Sequence, residues 1–275
     1  MLICEDILLL LTRDDGRTEA WVTYRPYALA AGLLADLALA DCIEFEADKK
    51  NPKVTLAGEL AGAGGTPGAG GAGASTGAGA PTGAPVGRPG GPDGIGEAPA
   101  VPDGPGAIMD FGLRALADRN KPPRVQTLVT AGWFNPQEVV SRSLVAQGVV
   151  GLEEKKLLGL KPERYPVLDP EPENRTRARL ADALAGRGPV APADAMILGI
   201  LQGIDAVKHV LSDEVRQAGL KDREAKKRIE SLADELPEDA QQGSRAVKGV
   251  IDSMNAAILG AVVASTAAGT AAAGN

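Results

Sequence analysis

Histidine and cysteine are nearly missing from this chain, and their scarcity excludes much reaction chemistry. His209 is the single histidine in 275 residues, and Cys4 and Cys42 are the two cysteines. That set cannot make a histidine-rich metal cluster, a cysteine-based zinc site or a disulfide framework. No glycine-rich loop leads into a Lys-Ser or Lys-Thr pair, and no H-E-x-x-H pair occurs. Asp14-Asp15 and Glu153-Glu154 fall at turns and are expected to face solvent, and His209 reads as a structural or surface residue. No cofactor, no metal and no catalysis are expected.

Basic charge is also in deficit. Lys and Arg total 29 against 36 Asp and Glu, a net charge of −7. Phosphate attraction supplies most non-specific nucleic-acid affinity, so this balance argues against a nucleic-acid partner. Long apolar runs are few. Residues 256–273 carry no charge, but alanine dominates their second half, and a buried or docked helix is expected rather than a span. The apolar start, Met1 to Leu11, has no basic leader and is interrupted by Glu5 and Asp6, unlike a secretory signal. A cytoplasmic protein is the expectation.

Glycine and proline are abundant but unevenly placed. Between Gly58 and Gly106 lie 18 of the 35 glycines and 8 of the 20 prolines, with five charged residues and no aromatic. Such a tract lacks the apolar side chains that offset chain ordering, so residues 61–106 read as a disordered insertion. It separates residues 1–60 from 107–275, two parts of one helical domain.

The remaining sequence is mainly helical in pattern. Glu5–Leu11 reads as a short apolar helix, and Asp14-Asp15-Gly16 as a turn. Ala28–Ala40 carries Leu29, Leu33 and Leu37 at helical period with almost no polar face, which predicts burial on several sides. Asp41–Glu46 and Val54–Leu56 predict a small hairpin. This helix-then-hairpin unit resembles a winged helix, but the helix has no Arg, Lys, Asn or Gln to reach base edges. Further helices are expected over 107–119, 125–131, 137–147, 174–185, 193–211, 223–236 and 246–264. Asn135 is a plausible N-cap with Pro136 following it, and Gly148 a stop. Residues 149–152 and 165–168 predict a long β-hairpin. The expected class is mainly α: a compact helical bundle with peripheral helices and small β-hairpins.

The candidate functional residues are few. Trp21 is either an anchor for the first helix or an exposed membrane or ligand contact. Arg175, Arg177 and Arg179 form either a solvated, salt-bridged helix surface or a face for anionic lipid. Only Arg175 and Arg179, four apart, are helical neighbours. Leu157-Leu158 within the 149–168 hairpin would favour a partner contact if exposed.

Several ordered segments together resemble the Golgi phosphoprotein family, also called the GPP34 domain family. They are Glu5 to Leu11 with Asp14-Asp15-Gly16 and Trp21, then Gly32 to Ala40. Trp133, Asn135 and Pro136 follow, with Leu144 to Val150, Tyr165-Pro166, Arg175 to Leu184 and Ala195 to Leu211. The match covers most of residues 1–60 and 107–264, and the chain looks like a prokaryotic-type member. The resemblance implies a helical bundle with a protruding hairpin. It implies non-enzymatic, peripheral binding to phosphatidylinositol 4-phosphate, through a pocket built from a tryptophan and arginines. Trp21 matches the tryptophan, whereas the family arginines fall at Ala30, near Gln137 and at Val139. Arg25 and Arg142 are the candidates to replace them, with Arg175 and Arg179 as further lipid contacts. The implied partners are anionic phospholipid headgroups at the inner face of a membrane, and a second copy through the 149–168 hairpin. If the insertion is a linker, shortening residues 61–106 should leave a cooperative thermal melt, and loss of that melt would contradict it.

Overall fold

The computed structural model describes residues 1–17, 24–46, 51–57, 104–153 and 164–232. Its first helix, α1 (Ile3–Leu10), is buried along its whole length, including the carboxylates Glu5 and Asp6. α2 (Arg25–Leu39) packs along α1 and is fully enclosed from Ala28 to Leu37, as its continuous apolar pattern predicts. α1 also touches α5 (Gln137–Ala146), α6 (Glu171–Ala185) and α7 (Pro192–Gly203), and so runs through the middle of the bundle.

α3 (Pro105–Ala117) and α4 (Val125–Thr130) lie against α2. The short helices α8 (Val207–Val210) and α9 (Ser212–Gln217) lead to α10 (Asp222–Leu232), which packs on α6 and α7. β1 (Ile43–Phe45) and β2 (Val54–Leu56) pair antiparallel, with Glu44 opposite Thr55. β2 is fastened to the start of α4 by Val54 N–H donating to Pro123 (2.8 Å) and Val125 N–H donating to Pro52 (3.0 Å). The class is therefore a mainly α bundle with one small two-stranded sheet among the described residues. α2 has no open face to enter a nucleic-acid groove, which removes the winged-helix arrangement.

Three carboxylates tie α1 into place. Glu5 accepts from the Ser143 hydroxyl (2.7 Å) and the Gln147 amide (2.6 Å), joining α1 to α5. Its second oxygen accepts from Leu2 N–H (2.9 Å), which closes the helix start. Asp6 accepts from the Thr176 hydroxyl (2.6 Å) and from Arg179 (3.3 Å), joining α1 to α6. Asp36, on α2, accepts from the Ile3 (2.7 Å) and Cys4 (3.0 Å) amides, two donors that the first turn of α1 leaves unpaired. Each buried carboxylate thus receives the hydrogen bonds without which burial would be costly.

Two sequence expectations change. The helix expected over 193–211 breaks after α7, where Asp205 takes a left-handed φ of 56° and ion-pairs with Lys208. Aspartate tolerates that region better than most residues, and Gly203 before it weakens the helix. The hairpin expected over 149–168 is not a continuous ladder. Its described residues meet at two isolated bridges, Val150 with Val167 and Glu153 with Arg164. Pro166 has no N–H to donate between them. At the two ends of α5, Gly148 stops the helix with φ 73° as expected, whereas the cap position falls on Pro136, and Asn135 Oδ1 accepts from Gln137 N–H (3.1 Å) one residue before it. The segment 58–103, Trp21, the hairpin tip and the helix expected over 246–264 lie outside the described residues.

The turn after α1 is locked against the second half of the chain. Gly16 has φ 74°, and a Cβ there would lie 2.6–2.8 Å from backbone atoms of Tyr165 and Pro166. Val167 N–H donates to Asp14 across the same contact (3.1 Å). Gly16→Ala should therefore cost about 2 kcal/mol or more in a urea melt, from strain and overlap together. An unchanged midpoint would show that this contact can relax.

Burial pushes the Asp36 carboxyl up to about 6, against the opposing effect of the two amides. A carboxyl raised in the folded state binds its proton more tightly there than in the unfolded chain. Its contribution is fully present below about pH 4 and is lost as pH rises through about 6, a change of about 3 kcal/mol. Burial raises Asp6 in the same direction. Chemical denaturation across that window should give a steeper decline for the wild type than for Asp36→Asn, and parallel declines would contradict the assignment.

Candidate functional site

A cavity of about 350 Å³ opens where α1 ends, α2 begins and α5 passes the ribbon formed by residues 149–153 and 164–168. Leu8 and Leu9 of α1 and Leu144 of α5 give it an apolar floor, with Val150 beside them. Its rim is cationic and polar: Arg17, Arg25, Arg164, Gln137, Ser141 and Tyr165. Local structure explains how these meet. Arg17 follows the Asp14-Asp15-Gly16 turn, Arg25 is the first residue of α2, and Arg164 enters through its backbone bridge to Glu153. The lock of Gly16 onto Tyr165 and Pro166 brings the first and last of these together.

The three guanidinium groups differ in what they already hold. Arg17 pairs with Asp15 at 3.4 Å, an exposed contact of little strength. Arg25 is half-buried, and the partner of its guanidinium among the described residues is the Thr12 hydroxyl at 3.5 Å. That hydroxyl donates its own proton to Leu8 (2.6 Å), so it is free to accept from Arg25. Burial lowers the Arg25 pKa from its ordinary value, and no carboxylate among the described residues offsets its lost hydration. Arg164 buries its Nε with no hydrogen-bond acceptor. A group bearing several acceptor oxygens and negative charge is the chemical complement of this rim.

The other expected site residues are placed elsewhere. Arg142 points to solvent and pairs with Glu138 at 2.6 Å. Arg179 bridges Asp6 and Asp194 (3.3 and 3.0 Å), and Arg177 bridges Glu173 and Glu214 (2.8 and 3.1 Å) while donating to the Val210 carbonyl. Arg175 is exposed on α6. Trp21, Leu157 and Leu158 fall outside the described residues. Ala30 is sealed inside α2 at 1% exposure, so that position cannot reach a ligand. Gln137 does line the arginine cavity, whereas Val139 lines a second hollow of about 390 Å³ beside Trp133. There Arg119 stacks 4.1 Å above the Trp133 ring.

Arg17 and Arg164 are the cavity residues that sequence reasoning missed. They stand 147 positions apart (164 minus 17), and no spacing rule relates them. The available signal was the Gly16 turn, whose tight approach needs a partner segment.

Among the described residues no group of three or more His, Cys, Asp or Glu is placed to hold a metal ion. No helix there is long and apolar enough to cross a membrane. No curated protein matches the chain in sequence. The family model described as Golgi phosphoprotein 3 (GPP34) matches residues 3–73 and 94–254, which takes in α1 to α10 and every wall of the arginine cavity. The chain belongs to the Golgi phosphoprotein 3 (GPP34) family.

Proposed function

We propose that this protein is a binding scaffold whose arginine-lined cavity takes a phosphorylated, anionic headgroup at a membrane surface. Family membership makes it a non-catalytic protein. The observation that carries the proposal is Arg25, a half-buried cation that lines a cavity and has no carboxylate partner among the described residues. Charge-assisted bonds to phosphate oxygens would replace the hydration that burial removes. Trp21, four positions before Arg25, is assigned an interfacial contact with the bilayer. Arg142, Arg175 and Arg179 are assigned at most a general attraction to anionic lipid, because two of them already hold carboxylates.

A scaffold that binds proteins and no lipid is favoured by a different observation. Leu152 and Leu168, at the base of the returning ribbon, are 47% and 65% exposed. Exposed leucines of this kind, with the Leu157-Leu158 pair in the sequence between them, would suit a self-association or partner surface.

Co-sedimentation with neutral, general anionic and phosphatidylinositol 4-phosphate vesicles separates the two. Cavity binding predicts retention on the phosphoinositide vesicles that Arg25→Gln lowers about tenfold. Retention that follows total charge and ignores Arg25 would assign the contact to the surface arginines. No retention on any vesicle would leave the protein-binding scaffold.

A further inference from the structure

We infer that Arg164 is a second anion-contacting residue of this cavity and that it transmits occupancy to the ribbon formed by residues 149–153 and 164–168. The inference rests on the proposed anion-binding function and adds a residue and a coupling to it.

Arg164 is fixed at its backbone and carries one unpaired side-chain nitrogen. Its N–H and carbonyl exchange hydrogen bonds with Glu153 (3.3 and 2.9 Å), which sets the position of its Cα. Its side chain lines the cavity that Arg25 also lines, and its Nε is buried without an acceptor. A buried donor without a partner is uncommon in folded proteins and asks for an explanation. A phosphate group in the cavity would offer charge-assisted acceptors to the Arg164 guanidinium as a whole and a counter-charge to Arg25. Guanidinium groups suit it, because their fixed fork of donors matches phosphate oxygens.

The coupling follows from connectivity. The ribbon is held by Gly151 N–H to Pro166 (2.8 Å), Glu153 N–H to Arg164 (2.9 Å) and Leu168 N–H to Val149 (2.9 Å). Two isolated bridges hold its strands together, so its backbone bonds are expected to open more readily than those of the buried helices. A ligand that binds Arg164 when the ribbon is closed shifts that opening equilibrium toward closure. The anion and the ribbon are thereby linked, and by reciprocity a partner that closes the ribbon would tighten anion binding.

The ligand chemistry is a terminal phosphate group, which free phosphate and a phosphoinositide headgroup both present. The full chain is titrated with inorganic phosphate and, separately, with phosphatidylcholine vesicles with and without phosphatidylinositol 4-phosphate. Amide exchange is followed at Gly151, Glu153, Arg164 and Leu168. The inference predicts that the bound probe slows exchange at these amides. Arg164→Gln should weaken binding about tenfold and abolish that slowing. Its thermal midpoint should match the wild type, because the buried Nε loses no bond. Arg216→Gln, on the exposed Asp213 pair, should behave as wild type. Protection by both probes assigns the contact to the phosphate group itself, and protection by the vesicles alone assigns it to the lipid headgroup. Binding with no slowing at the ribbon, or full affinity in Arg164→Gln, overturns the inference while leaving the cavity proposal intact. No binding of either probe by the wild type overturns both.

Discussion

The architecture depends on one condition: the first helix is buried while carrying two adjacent carboxylates. Burying an ionised group is costly unless donors replace the lost water. Here Glu5 is met from α5, Asp6 from α6, and the helix start by Asp36 of α2. Each partner satisfies a charge or an orphan amide and at the same time fixes the position of a neighbouring helix. The apolar faces supply most of the driving force, but they permit sliding. The directed hydrogen bonds select one arrangement of α2, α5 and α6 around α1.

The cavity is a consequence of that arrangement. α1 stops at Leu10, so the space above its last turn lies between α2 and α5. The chain then turns through Gly16 and is held against Tyr165 and Pro166. This places cations from two distant sequence regions around an apolar floor. Whereas α6 turns Arg177 and Arg179 to carboxylates, Arg25 has none among the described residues. The contrast separates arginines that hold the fold together from the one proposed to meet an external anion.

Much of the fold was legible in residue patterns. The unbroken apolar period of Ala28–Ala40 predicted an enclosed helix, and Gly148 marked the end of α5. The break at Asp205 was not legible, because a single left-handed residue leaves the apolar period intact on both sides. The importance of Glu5 and Asp6 was hidden for a related reason. As sequence they look like polar interruptions of an apolar helix, and their partners Ser143 and Thr176 lie more than a hundred positions away. The candidate site was legible only in part. Arg25 was visible through its closeness to Trp21, but Arg164 joins it through the Gly16 contact, which is a tertiary fact. Arg142 and Arg179 could not be told from ligand-binding arginines until their carboxylate partners were placed.

The central claim is that Arg25 and Arg164 share one phosphate. A crystal structure of the full chain with the soluble headgroup inositol 1,4-bisphosphate tests it most directly. The account predicts a phosphate in the cavity above Leu8 and Leu9, hydrogen-bonded to both guanidinium groups. A phosphate held instead by the exposed arginines of α5 or α6, with the cavity filled by water, would contradict it.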